Sequence, residues 1–113
     1  MELSNHGLER IYDRTKLHPD DVLSIVSAEA AVDLGVADGQ RYFLFYSQPN
    51  KSTKIALVSE DRRRLISIWE KDYNLPTGVK KVTWQRERDA QTLLQAFLFA
   101  RIKAKNKQNG GAA

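Results

Sequence analysis

The chain has 113 residues, no cysteine and a net charge of +4, with 42% hydrophobic and 28% charged residues. That composition fits one globular domain around one core, and it excludes a disulfide-stapled scaffold and a thiolate metal site. No stretch reaches the roughly 20 apolar residues that span a bilayer. The opening MELSNHGLER lacks the basic start and apolar run of a signal peptide, so a soluble cytoplasmic protein is expected.

Ser4 is a good N-cap for a helix over 5–16, in which Leu8, Ile11, Tyr12 and Thr15 share one face. Pro19, followed by Asp20 and Asp21, opens a second helix over 19–28, with Val22, Leu23, Ile25 and Val26 on its buried side. The period then turns extended. Residues 31–34 read as a short strand, and a turn follows at Ala37-Asp38-Gly39. The aromatic run 41–46 and the aliphatic runs 54–58 and 65–69 read as three further strands, bounded by turn residues. Their short connections favour an antiparallel meander. Pro76 and Gly78 break the pattern, and 79–84 reads as one more strand.

A long helix is expected over 89–105. Ala90, Leu93, Leu94, Phe97 and Leu98 share one broad side, while Phe99 lies about 160° from Phe97. This helix is therefore apolar nearly all round in its middle. It is either buried between layers or presents Phe99 to a partner. The expected fold is α+β: two N-terminal helices on an antiparallel β-meander of three to five strands, plus a long C-terminal helix. A single domain over 1–105 and a disordered tail over 106–113 complete the reading.

The charge is unevenly placed. Residues 1–100 carry 14 basic and 14 acidic side chains, so the whole excess sits in Arg101, Lys103, Lys105 and Lys107. Within the neutral body, residues 1–61 are net −4 and residues 62–100 net +4. Such asymmetry steers anionic partners and says nothing about fold.

His6, Arg10 and Arg14 recur every four residues, so they form one stripe displaced by about 40° per step. An imidazole exchanges protons near neutral pH and guanidinium groups grip phosphate. Cleavage of an RNA phosphodiester needs both. On spacing alone the stripe better suits the solvated side of a helix, with Arg10 and Asp13 as an ordinary i,i+3 pair. His18, before Pro19, reads as a capping or surface residue. Two histidines without cysteine, HxxxH or HExxH spacing give no basis for a metal, and no cofactor is expected. Neither a glycine-rich phosphate loop nor a GxSxG elbow is present. Arg62, Arg63 and Arg64 make a basic turn that can face RNA or simply protect a strand edge. Trp69, Tyr73 and Trp84 interleave with such charges, as a base-stacking surface requires, although tryptophan in so small a domain is usually a core residue.

The run SNHGLERIYDRTKLHPDDVLSIV, with H-x-x-x-R and a second Arg four residues on, resembles the opening of small bacterial toxin-like domains. RYFLFYSQPNKSTKIALVSEDRRRLISIWE is similar to their meander, whose last strand carries a hydroxyl residue. These are domains of the barnase–EndoU–colicin–RelE (BECR) ribonuclease fold group. The resemblance covers about residues 4–72. It implies a metal-independent endoribonuclease, or a RelE-like relative acting on RNA, with His6, Arg10, Arg14 and Ser67 in the active site and Lys54 adding charge. Arg62, Arg63 and Arg64 would contact substrate, and a cognate inhibitor protein would be a partner. The chain departs from the pattern in its long C-terminal extension and in serine at 67, where threonine is commoner. The alternative is a non-catalytic interaction module that forms a homodimer, or docks a partner, through Phe97 and Phe99.

Overall fold

The computed structural model describes residues 1–105 in full, with the backbone continuing to residue 110. The tail expected over 106–113 lies outside the fully described residues. In chain order the elements are β1 (Glu2–Leu3), α1 (Asn5–Arg14), α2 (Pro19–Ser27), β2 (Val32–Ala37), β3 (Gln40–Ser47), β4 (Ser52–Ser59), β5 (Arg64–Glu70) and α3 (Trp84–Gly110). The fold is α+β. Its five strands lie in the order β1-β5-β4-β3-β2, antiparallel except for β1, which pairs with β5 in parallel through Glu2↔Arg64 and Leu3↔Leu65. Among the described residues no helix is long and apolar enough to cross a membrane.

Both faces of the sheet are covered, which is why β4 is buried at every position from Thr53 to Val58. On one face Phe43, Phe45, Ala56, Val58 and Ile68 meet Ile11 of α1 and Val22, Ile25 and Val26 of α2. On the other face Tyr42, Leu44, Ile55 and Leu57 pack with Val79, Ala90 and the partly buried Leu75 and Val82. That second layer is the segment between β5 and α3. It is not the strand expected over 79–84. A single backbone bond, Lys80 N–H to Leu34 O at 2.8 Å, touches β2, and Val79 and Val82 turn into the core instead of pairing. Thr83 caps α3, accepting from Arg86 N–H at 3.2 Å, so the helix starts earlier than the periodicity of its apolar residues implies.

Helix α3 is apolar on several sides because it serves both layers. Ala90 is buried in the second core and Leu94 in the first, with Phe97 and Leu98 packed against the first. Beyond them Phe99 is 69% exposed and Ile102 is also exposed.

Irregularities in two strands set which way side chains face. Between Asp33 and Gly35 the register of β2 shifts, with Gly35 at φ +112°, in the region that favours glycine. Between Leu57 and Val58 the β4–β5 register shifts as well, so Ser67 pairs with Leu57 and Leu65 with Val58, leaving Ile66 as the extra residue.

Candidate functional site

The site grows from the way α1 is fixed to β5. Glu2 N–H donates to Arg63 O at 2.6 Å and Ser4 N–H to Leu65 O at 3.2 Å. The Ser4 hydroxyl caps α1 by accepting from Gly7 N–H at 2.9 Å, and it donates to Ile66 O at 3.3 Å. Gly7 permits this approach, because a Cβ there would lie 2.7 Å from Leu65 O. At the far end of α1, Arg14 Nη1 donates to Ile68 O at 2.7 Å. The free edge of β5 beyond β1 is thus satisfied by α1 side chains, a way of blunting an edge strand.

This docking leaves an open depression of about 930 Å³ between the first turn of α1 and the β4–β5 turn, with His6, Arg62, Arg63, Arg64, Ser59 and Asp61 in its walls. The turn is held by its own side chains. Ser59 Oγ accepts from Arg64 N–H at 3.0 Å and donates to Asp61 Oδ1 at 2.7 Å, which also accepts from Arg63 N–H at 3.0 Å. The Ser59 hydrogen bond, and then that backbone N–H, hold the Asp61 carboxyl below its ordinary range. Arg62 takes φ +61°, a left-handed conformation that lets the chain reverse.

The expected site residues fall into two sets. His6 and Arg10 come together: Arg10 Nε donates to His6 Nε2 at 3.3 Å, and its Nη1 reaches Asp13 at 3.5 Å. Arg63 and Arg64 share the depression with His6. Arg63 is 86% exposed with Asp61 at 3.9 Å, and Arg64 lies 3.7 Å from Glu2. Arg62 also lines the depression, but its guanidinium is paired with Glu29, lies 3.7 Å from Asp33 and sits over the Phe43 ring at 5.8 Å.

The second set does not join them. Arg14 serves the β5 edge. Lys54 is only 8% exposed and is held by both oxygens of Glu70 at 3.0 and 2.8 Å, at the opposite end of β5 from His6. Ser67 is buried, pairs with Leu57 on the face away from α1, and its hydroxyl has no hydrogen-bond partner among the described residues. Phe97 is half-buried against the first core, with Arg101 at 5.5 Å from its ring, whereas Phe99 is exposed. His18 caps α2, accepting from Asp20 N–H at 3.1 Å.

The Lys54–Glu70 pair makes an asymmetric prediction. Glu70→Ala strands a buried ammonium and should cost about 2 kcal/mol, the cost being tempered because Glu70 is half in water. Lys54→Met, which keeps the stem and removes the charge, should change stability by less than about 1 kcal/mol. Urea unfolding of both variants checks this. Equal losses in the two would show that the charge itself is needed.

Sequence reasoning did not place Ser4, Ser59 and Asp61 in the site. The capping serine and the S-x-D of the turn were visible as local signals, but nothing local placed them around one depression. No family model matches the chain, no curated protein matches it, and no solved structure matches it.

Proposed function

We propose that the protein acts on RNA through the depression between α1 and the β4–β5 turn, as a relative of the barnase–EndoU–colicin–RelE ribonuclease fold group. The observation that carries this reading is the meeting of two separate segments. His6, Arg63 and Arg64 line one open concavity, and Arg10 is bonded to His6 at 3.3 Å. Once Arg10 Nε–H turns from His6 Nε2 to the phosphate, that nitrogen takes the proton of a ribose 2′-hydroxyl. The 2′-oxygen attacks phosphorus, the bond to the 5′-oxygen breaks, and that oxygen takes its proton from water, giving a 2′,3′-cyclic phosphate and a free 5′-hydroxyl. Arg10, Arg63 and Arg64 supply fixed positive charge to the phosphorane oxygens. Arg14, Lys54 and Ser67 have no part in this step. The first two are occupied by the fold and the third lies on the opposite face.

The test is incubation of single-stranded RNA with the protein in EDTA. Cleavage with cyclic phosphate ends is expected, and His6→Ala should slow it by about 10²–10⁴-fold without loss of fold. Arg63→Glu should weaken RNA binding and flatten its dependence on salt. RNA left intact by the wild type at high concentration would sink the catalytic part. A second reading, an interaction module, rests on the exposure of Phe99 and Ile102 on α3. It would be favoured if a protein inert toward RNA sedimented as a dimer, or as a complex with an inhibitor protein.

A further inference from the structure

Trp84 stands apart from both cores. It is the first residue of α3, directly after the capping Thr83, and it is 67% exposed. A side chain that hydrophobic has most to gain from burial, yet among the described residues its close aromatic-type contact is the Arg88 guanidinium, 4.8 Å from the ring centroid. Four residues on along the helix, Arg88 can cover one face of the indole. The exposure left over is too large for both faces to be covered. Trp84 and Arg88 border a second depression, of about 240 Å³, together with Tyr46, Lys51, Lys71 and Glu87.

The charges here are unequally committed. Lys71 is bound to Glu87 at 2.9 Å, and Glu87 also accepts from Thr53 at 2.8 Å. The Lys71 hydrogen bond holds the Glu87 carboxyl below its ordinary range, and the two charges are engaged with each other. Lys51 and Arg88 have no carboxylate within salt-bridge distance among the described residues. An open aromatic face, a stacked guanidinium and an uncompensated lysine beside one concavity match a nucleobase and its phosphate.

We infer that Trp84 and Arg88, with Lys51, form a stacking platform for a base of single-stranded nucleic acid, separate from the His6 depression. The platform rests on the RNA reading and extends it. Strand β5 runs from Arg64, beside His6, to Glu70, next to Lys71, so the two sites stand on the order of 20 Å apart. One strand of several nucleotides could occupy both. The platform holds the strand and takes no part in chemistry.

Binding of a labelled eight-residue oligothymidylate to the full chain separates the possibilities, since it lacks the 2′-hydroxyl and stays intact. Trp84→Ala should weaken binding about tenfold, and Trp84→Phe, which keeps a ring, by no more than about threefold. The salt dependence should stay as in the wild type, because no charge is removed. An abasic oligomer should bind wild type and Trp84→Ala alike. Tryptophan fluorescence should fall on binding in the wild type and much less in Trp84→Ala, where only the half-buried Trp69, stacked on Tyr73 at 3.8 Å, remains. Unchanged affinity in Trp84→Ala would overturn the platform while leaving the His6 site standing. Loss in Trp84→Ala with none in Arg63→Glu would support the platform and remove the other site. Displacement by polyglutamate as effective as by the oligomer would overturn it in favour of an acidic protein partner. A wild type that binds no oligomer overturns the platform, while the His6 site stands or falls by the RNA-cleavage assay.

Discussion

A Gly7→Val protein should be less stable than the wild type by about 3 kcal/mol, the upper part of the range for overpacking. The Cβ at position 7 would sit 2.7 Å from Leu65 O, 3.1 Å from Ser4 Oγ and 3.2 Å from a Leu3 methyl. The nearest neighbour is backbone, and it is pinned, because Leu65 O also accepts from Ser4 N–H. It cannot step aside as a flexible side chain would. Glycine is a poor helix former, so valine gains a few tenths of a kcal/mol in α1, which is too little to offset the clash. Helix α1 must therefore lift from β5. Gly7 and Ile11 are its buried residues, and lifting the helix also strains the Ser4 and Arg14 hydrogen bonds to β5. Two readouts should move together. Urea unfolding should shift to lower concentration, and RNA binding should weaken even at temperatures where the sheet remains folded. Stability lost with binding intact would mean that the His6 depression does not form the binding site.

Phe45→Ala should cost more, about 3–5 kcal/mol. Phe45 is the largest of the fully buried side chains. It lies on β3 in register with Lys54 of β4, on the face covered by α1 and α2. Removing the ring leaves a cavity that well-packed neighbours fill only in part, and it exposes the stem of Lys54 to an empty space. Domains of this size have about 5–15 kcal/mol in all, so the variant should unfold at far lower urea and fail to fold in warm cells. Its loss should leave the urea slope unchanged, since the same surface is exposed on unfolding. A loss below about 1 kcal/mol would mean that the two helices and the sheet can close over the gap.

Much of the fold was legible because it is written in short-range patterns. Ser4 and Pro19 mark the starts of α1 and α2, and the aromatic and aliphatic runs mark β3, β4 and β5. What was not legible depends on partners far away in the chain. Two residues, Glu2 and Leu3, form a strand only because β5 offers them an edge. Residues 79–82 look like a strand by their valines, yet they find the sheet face already in need of a cover. The start of α3 was set by Thr83, and the apolar period begins only later.

The candidate site shows the same division. The spacing of His6 and Arg10 was enough to bring them together, since four residues is one helical turn. Ser67 turned on parity. A single extra residue at Ile66 changes which face everything after Leu65 occupies, and no local signal in LISIW announces it. Lys54 and Arg62 were legible as charges but not as pairs, because Glu70 and Glu29 are distant in sequence.

Helix α3 packs Ala90 into one core and Leu94 into the other. The two sides of the sheet therefore share a clasp, and neither can melt while the other stays whole. Unfolding should be all-or-none across both layers, with the one rigid body keeping the His6 depression and Trp84 at a fixed spacing. For a strand that touches both, a fixed spacing acts as a ruler: it selects the length and the phase of what can lie across the surface.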